Sequence, residues 1–504
     1  MADLRLAAPA AGCWLTTAVA LLAPVPVTVA VVVSLAAAAT AVVRRARRGA
    51  AVAVTVAAVC GVSVTAGVIV LLRIAAVDAS PIRIAGGKPV VEVVVTGDPV
   101  GSAAGRRITV PVRVDRLAER RIRPVAALLS LDADIGDLLP GERLTARVKA
   151  RSAAAPGRDR LIAARLSAIG DVRRTADAPW WQRSAGHVRL RLRELAARAL
   201  GGRQGGLLPG LVLGDTGGLD QQTTETFRAA GLSHLVAVSG SNLVLTVGAV
   251  IFGVRACGAS PRTVFATGVV AVVGFVILVR PTDSVLRAAI MGSVGLAAGL
   301  ASRRSQALPA LGAAVIVVLL WWPQMALAPG FALSVAATLG LVLWSAPIRF
   351  ALLDRGVGDW LASVTAMTLA AQILTTPIVI ATTGRVSVFA VLANLLVAPV
   401  IPLIGVAGTA AAVIGAVGPR HGPAQVPAEL LVRATGPPVR WLLGVADRLG
   451  GPGWVAPEVP GPLAASVLVA VGGAIGVRLA LRRAADGGGL EGWTRERPPV
   501  PPPR

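Results

Sequence analysis

Residues 50–72 read AAVAVTVAAVCGVSVTAGVIVLL, a stretch without a single charge. A membrane helix needs about 20 apolar residues, so this stretch is a clean span. Just before it stand Arg44, Arg45, Arg47 and Arg48. Basic residues concentrate on cytoplasmic loops, which puts this cluster inside and brings the chain out near Asp78. The preceding apolar stretch, Leu15 to Val43, is interrupted by Pro24 and Pro26. It reads as two short helices in a hairpin, with one kinked span as the alternative. A signal peptide does not fit, because the basic cluster follows the apolar stretch instead of preceding it.

The same character runs through most of the 504 residues. Apolar side chains make up 55% of the chain and charged ones 15%, with a mean hydropathy of +0.72. Ordinary soluble domains carry about 25% charged residues, so the excess apolar surface has to face lipid. A soluble enzyme, a disordered chain and a secreted disulfide scaffold are excluded. The 50 basic and 26 acidic residues give a net charge of +24, and only Lys88 and Lys149 are lysines. Such a balance attracts polyanions, whether nucleic acid or acidic lipid. Cys13, Cys60 and Cys257 lie in or at the edge of apolar runs and form no CxxC. They read as small buried residues.

Residues 79–179 differ in kind. No membrane-length run occurs there; five short segments with strand patterning do: Val91–Val95, Ile108 to Val114, Val125–Leu131, Leu144 to Val148 and Ile162–Ile169. Period-2 alternation with Gly, Pro and Asp between the segments predicts an all-β domain. Five strands suit an OB-like barrel, with a sandwich as the alternative. Basic residues outnumber acidic ones here. Long segments cross a membrane largely regardless of charge, so this domain is expected outside.

Trp180 and Trp181 then mark an interface belt. The segment HVRLRLRELAARAL at 187–200 reads as a helix on the membrane surface or as a basic collar for an anionic substrate. From Leu232, apolar spans follow near 232–254, 263–279, 284–301, 306–322, 326–346 and 359–381. Residues 386–417 hold Asn394, Pro399 and Pro402 and are split in two; a last span covers 462–481. Residues 427–450 are amphipathic, and 482–504 form a disordered cytoplasmic tail. The expected fold is a polytopic α-helical membrane protein of about 11–12 spans with an inserted OB-like extracytoplasmic domain. Its divisions are 1–78 (N-terminal helices), 79–179 (β domain), 180–231 (amphipathic helix and outer loop), 232–481 (transmembrane core) and 482–504.

Chemistry-bearing residues concentrate in 207–242, LLPGLVLGDTGGLDQQTTETFRAAGLSHLVAVSGSN. Ser233, His234, Ser239, Ser241 and Asn242 occupy the start of a span. Polar groups at membrane depth face protein or a water-filled cavity, so these five are either interhelical hydrogen-bonding groups or the lining of a wet passage. Gly240, between two serines, lets the helix unwind. Serine hydrolysis by Ser239 and His234 lacks the GxSxG elbow. The three histidines, His187, His234 and His421, form no HxH, HExxH or HxHxDH pattern. No Walker A sequence occurs. The chain is therefore expected not to be an enzyme and to carry no cofactor or metal. Asp283 and Arg287 are spaced i, i+4 for an ion pair or, with Arg280 nearby, an anion contact along a path. Gln372, Thr375, Thr376 and Pro377 break one span, and Asn394 with Pro399 another. Asp215 and Asp220 suit a cation or, more simply, turn chemistry.

The segment Phe227–Gly240, FRAAGLSHLVAVSG, with Leu213-Gly214-Asp215 upstream, resembles the ComEC family of competence proteins. So do Ser284–Ala288 with Arg303-Arg304, Pro329–Ser334, Gly384–Ser387 and Ala393-Asn394-Leu395. The resemblance implies a multi-pass channel in the bacterial cytoplasmic (inner) membrane that passes single-stranded DNA during natural transformation. On this reading Ser233, His234, Ser239, Ser241, Asn242, Arg287 and Asn394 are path candidates, and Gly214 and Asp215 an outer-loop motif. The implied partners are single-stranded DNA, membrane lipid, a ComEA-like receptor and a ComFA-like motor, with a second copy of the chain also carried as a candidate. Many members add a metallo-β-lactamase-like domain; its ligand motif is missing here, so nuclease activity is not expected. The β domain contains no Phe, Trp or Tyr on which bases could stack. The competing functions are a secondary transporter of a smaller anion and a membrane-embedded hydrolase.

Overall fold

A computed structural model describes residues 6–45, 51–85, 87–101, 107–132, 135, 137–153, 155–236, 240–280, 285–286, 288–290, 292–293, 307–418, 422, 425–451, 456–459, 461–464 and 466–467. The N-terminal apolar region forms α1 (Ala7–Leu22), α2 (Val25–Arg45) and α3 (Ala51–Asp78). The break between α1 and α2 falls at Ala23-Pro24, where Pro24 disfavours helix at the residue before it. Only one of the two is short: α2 carries a full-length apolar span, Val25–Val42. Glycines let these helices touch. A Cβ on Gly67 would lie 2.4 Å from Val32 Cγ2, and one on Gly12 2.7 Å from Ser63 Oγ.

The end of α3 runs into a small β barrel. Val77 and Ile82 sit in its core, and Asp78 pairs with Arg83. The strands are β1 (Val90–Val95), β2 (Val100–Gly101), β3 (Arg107–Leu117), β4 (Arg120–Asp132), β5 (Arg143–Ser152) and β6 (Ile162–Ala176). They pair in the order β1-β5-β6-β4-β3, and β3 returns to β1, which closes five strands into a barrel with β2 appended to β3. Closure decides for the barrel over the sandwich. All pairings are antiparallel except β4 with β6. Bulges at Glu92/Val93, Val114/Arg116 and Ala146/Val148 bend the strands.

Alternation fills the barrel with aliphatic side chains. Val91, Val93, Val95, Val110, Val112, Val114, Leu129, Leu131, Leu144, Val148 and Leu166 are at most 2% exposed. Each such burial contributes about 1.5–3 kcal/mol. The barrel is also fastened to the helices: Gly157 N–H donates to Leu21 O at 3.0 Å, and Arg160 Nη1 donates to Leu21 O and Ala23 O at the α1–α2 break.

Next come α4 (Trp180–Ala199) and α5 (Gly202–Leu213). The expectation of a surface helix for 187–200 is corrected. Arg189, Arg191, Leu192, Leu195 and Ala196 of α4 are all buried, so α4 is an interior helix whose arginines find internal partners. Gly205 permits the α4–α5 contact, since a Cβ there would meet Ala196 O at 2.8 Å.

Among the described residues, five helices are long and apolar enough to cross a membrane: Val25–Val42, Ala53–Asp78, Pro261–Val279, Pro329–Leu353 and Asp359–Thr383. Ala390–Val397 with Ile401–Ala416 makes a sixth if counted as one broken span or re-entrant loop. The separation falls at Pro399, inside the stretch whose prolines predict a split. Ala7–Leu22, Asn242–Ala256 and Ala307–Trp321 are apolar but shorter. A 16-residue helix such as α1 reaches only about 24 Å, less than the roughly 30 Å hydrocarbon layer. This is why the described residues carry fewer full spans than the expected 11–12; the expected spans 284–301 and 462–481 lie largely outside them.

The chain divides into two compact units: residues 1–221, 234–331 and 400–440, and residues 222–233, 332–399 and 441–504. In the first, Trp14 joins α1 to the segment after Ala307–Trp321, donating to Ala326 O at 2.9 Å and stacking near Phe331. In the second, a Cβ on Gly340 would lie 2.1 Å from Ala370 O. That close approach packs Pro329–Leu353 on Asp359–Thr383.

Candidate functional site

The Gly214-Asp215 pair ends α5. Gly214 adopts φ +67°, where glycine avoids the Cβ penalty, and its N–H caps the helix through Gly210 O. Asp215 then starts a 3₁₀ turn, Thr216–Gly218, accepting from Gly217 N at 3.3 Å. Its carboxylate is buried at 4% exposure. Arg193 on α4 donates to Oδ2 from Nη2 at 2.7 Å and from Nε at 3.1 Å. Of the two sequence readings of Asp215, the cation ligand and the turn residue, the geometry has the turn, with an added ion pair.

Two more arginines surround this hub. Arg189 Nη1 donates to Leu213 O at 2.9 Å, Leu278 O at 3.3 Å and Val279 O at 3.4 Å. It therefore sits at the C-terminal ends of α5 and of Pro261–Val279, where helix dipoles favour a cation. Its Nη2 lies 4.0 Å from Asp215 Oδ1 and 3.6 Å from Asp98 Oδ2. Arg280, just past Pro261–Val279 at φ +76°, brings Nη1 to 2.5 Å from Asp98 Oδ1. Arg193 also reaches Asp137 at 3.4 Å. Asp98 and Asp137 are on barrel loops, so three arginines meet three aspartates where the barrel joins the helices.

The charges differ in how well they are compensated. Burial works against Arg193, but Asp215 and then Asp137 outweigh it and hold its pKa above the ordinary arginine value. Arg280 goes the other way: burial lowers it, and Asp98 offsets only part of that cost. Nearby in the barrel, burial raises the Glu142 carboxyl, with Arg174 at 3.9 Å in partial opposition.

In the Ser233–Asn242 stretch the described helical segments are Ser233–Val236 and Gly240–Ala256; residues 237–239 lie outside the described residues. Ser233 and His234 are exposed. Asn242 is 6% exposed; its Nδ2 donates to Leu211 O at 2.8 Å, while Oδ1 has no hydrogen-bond partner. A narrow cleft lined by Leu211, Leu235, Asn242, Ile401, Ile404 and Gly405 adjoins it, with about 10 Å³ open to a water, room for roughly one molecule. Asn242 thus ties two helices together and also faces a small gap in which, among the described residues, it is the one polar side chain beside Leu and Ile.

Ser239 and Arg287, with Asp283, lie outside the described residues, and Ser241 is described only as part of its helix. Asn394 belongs to the second unit and closes on its own helix, donating to Ala390 O at 2.7 Å. Gln372 likewise accepts from Thr376 one turn away at 3.1 Å. Among the described residues no group of three His, Cys, Asp or Glu side chains converges as a metal site. The residues that sequence reasoning missed are Asp98 and Asp137, which read only as turn punctuation, and Arg189 and Arg193 as their internal partners.

A second feature is the outer face of β5 and β6. Arg147, Lys149 and Arg151 alternate on one side of β5, and Arg151 stands directly across from Arg165. Like charges opposite one another destabilise a sheet, so this exposed stripe is held against a cost.

A model of the competence protein family matches residues 211–483, just over half of the chain. The chain belongs to the competence protein family. The matched region takes in Gly214, Asp215, Asn242 and Asn394; the barrel lies outside it. The chain is also 29% identical over 195 residues to ComE operon protein 3 of Bacillus subtilis (strain 168), covering 38% of this chain and 24% of that protein. The match thus spans about a quarter of the relative's length. No solved structure matches. The resemblance read from Phe227–Gly240 and its companion motifs therefore stands at the level of the competence (ComEC) family.

Proposed function

We propose that this chain is a channel in the bacterial inner membrane through which one strand of DNA enters during natural transformation. The observation that carries this reading is the family match across 211–483, which spans most of the residues proposed to line the path. The barrel supports it. Five strands closed into a small barrel suit an OB-like fold, and its outer β5–β6 face is a basic stripe.

With no aromatic residue in 79–179, the barrel holds the strand through phosphates alone. Binding is then weak, indifferent to sequence and dependent on salt. Arg193 and Asp215 fix the junction between barrel and helices, and Asn242, whose buried Oδ1 has no hydrogen-bond partner, presents a polar group toward the path. Threading is driven from outside the chain, by a receptor that delivers DNA and a cytoplasmic motor that pulls it. Deletion of the gene in its own transformable organism tests the reading. Loss of internalised donor DNA with normal surface binding supports it; unchanged transformation contradicts it.

The narrowness of the Asn242 cleft favours one alternative, transport of a smaller anion. A deletion strain that transforms normally but fails to take up an organic anion would favour that reading.

A further inference from the structure

Asp98 is the member of the charged junction that meets two buried arginines while staying partly exposed itself. It stands between Gly97 and Pro99 on the loop from β1 to β2, outside the barrel core, and its side chain is 40% exposed. The two arginines it meets, Arg189 and Arg280, are each only 9% exposed. Arg280 is held at φ +76°, a conformation that persists where the surroundings enforce it. Its Nε is buried with no hydrogen-bond partner, so the pair has donors that Asp98 does not use. Asp215 is shared between Arg193 and, at 4.0 Å, Arg189, so bare loss of Asp98 leaves Arg280 without a close carboxylate and is costly. Exchange for another anion avoids that cost. A phosphodiester offers one negative charge and two free oxygens, the geometry that guanidinium forks bind.

We propose that Arg189 and Arg280 form a phosphodiester-binding site that Asp98 occupies in the resting protein, and that a phosphate of the incoming strand displaces the Asp98 carboxylate. The proposal rests on the channel reading and adds to it a first anion site at the junction of barrel and helices. Displacement frees the β1–β2 loop, so the same event that binds DNA loosens the barrel from the helix ends at Leu213 and Val279.

The test uses the full chain in nanodiscs of zwitterionic lipid and a fluorescent single-stranded oligonucleotide. Asp98→Asn removes the competing carboxylate and is expected to tighten binding about fivefold to tenfold, the scale of one net hydrogen bond. Arg280→Gln weakens it by a similar factor. Asp132→Asn removes the same charge from an exposed barrel site paired with Arg107 and is expected to stay within about twofold. Asp98→Asn binding no more tightly than Asp132→Asn overturns the proposal, and DNA binding by the wild type in that same experiment leaves the channel reading standing.

A second measurement does not depend on the variants folding. Spin labels at Pro99→Cys and Thr216→Cys, in a Cys257→Ser background, report the loop-to-hub distance. Lengthening on addition of DNA supports displacement; an unchanged distance with DNA bound overturns it. The same lengthening produced by acidic lipid without DNA assigns the site to lipid headgroups and also overturns it. Absence of DNA binding by every protein overturns the proposal, and the deletion strain judges the channel reading separately.

Discussion

Asp215 carries two tasks with one carboxylate: it starts the turn after α5 through Gly217 N and neutralises Arg193. Asp215→Asn keeps the shape but leaves Arg193 and Arg189 short of a partner. It is expected to lower stability by about 2–3 kcal/mol, whereas Asp137→Asn, on an exposed partner, costs under about 1 kcal/mol. Thermal unfolding of the full chain in detergent separates the two. Glu142 gives a pH signature. Burial raises its carboxyl in the folded barrel above the unfolded value, so the folded state holds its proton to higher pH. Stability from this group is therefore greatest in acid and falls as pH rises from the unfolded pKa through the raised folded one. Glu142→Gln is expected to flatten that fall and to stabilise the protein at neutral pH; unfolding midpoints between pH 4 and 8 check it. The turn at Gly214-Asp215 was legible in the sequence because its signal is local. The partners Asp98, Asp137, Arg189 and Arg193 were not, because they lie from 22 to 117 positions away along the chain and only the closed barrel brings the loops back to α4.

Among the elements, the barrel followed most directly from pattern. Strand β1 differs from its expected Val91–Val95 by one residue, and the buried positions of β3 and β4 are the alternating Val and Leu that the sequence displays. Leu129, fully buried, has no room to be replaced from outside, so Leu129→Ala is expected to cost about 2–5 kcal/mol. Helices were less legible. The surface reading of 187–200 failed because an Arg-rich helix looks solvated until its carbonyl and carboxylate partners are known. Glycine contacts between helices leave no trace in hydropathy. Gly205→Ala drives a Cβ to within 2.8 Å of Ala196 O and is expected to cost about 1–3 kcal/mol through displacement of α5 from α4. The same melting measurement reads both substitutions.

At the scale of the molecule, charge and hydropathy give complementary instructions. Five helices among the described residues are long and apolar enough to cross a membrane, and the basic excess favours an anionic partner. On the proposed channel reading, the aromatic-free barrel holds that partner by phosphate contact, so single-strand affinity should fall with salt at about 0.7 in log–log slope per phosphate neutralised. Titration of the full chain against an oligonucleotide at several salt concentrations measures this; a flat response removes the barrel from the path. Composition pointed to membrane-spanning helices, and five among the described residues have the length and apolar character for that. It did not reveal that several apolar helices stop short of a full crossing, since Pro24 and Pro323 act on the backbone and not on hydropathy. The central claim is passage of a DNA strand, and reconstitution addresses it most directly: vesicles carrying the full chain, a fluorescent single strand outside and a trapped single-strand binder inside. The account predicts strand that becomes resistant to external nuclease only in vesicles containing the chain. Fully nuclease-sensitive strand, in vesicles that admit a small organic anion, would contradict it.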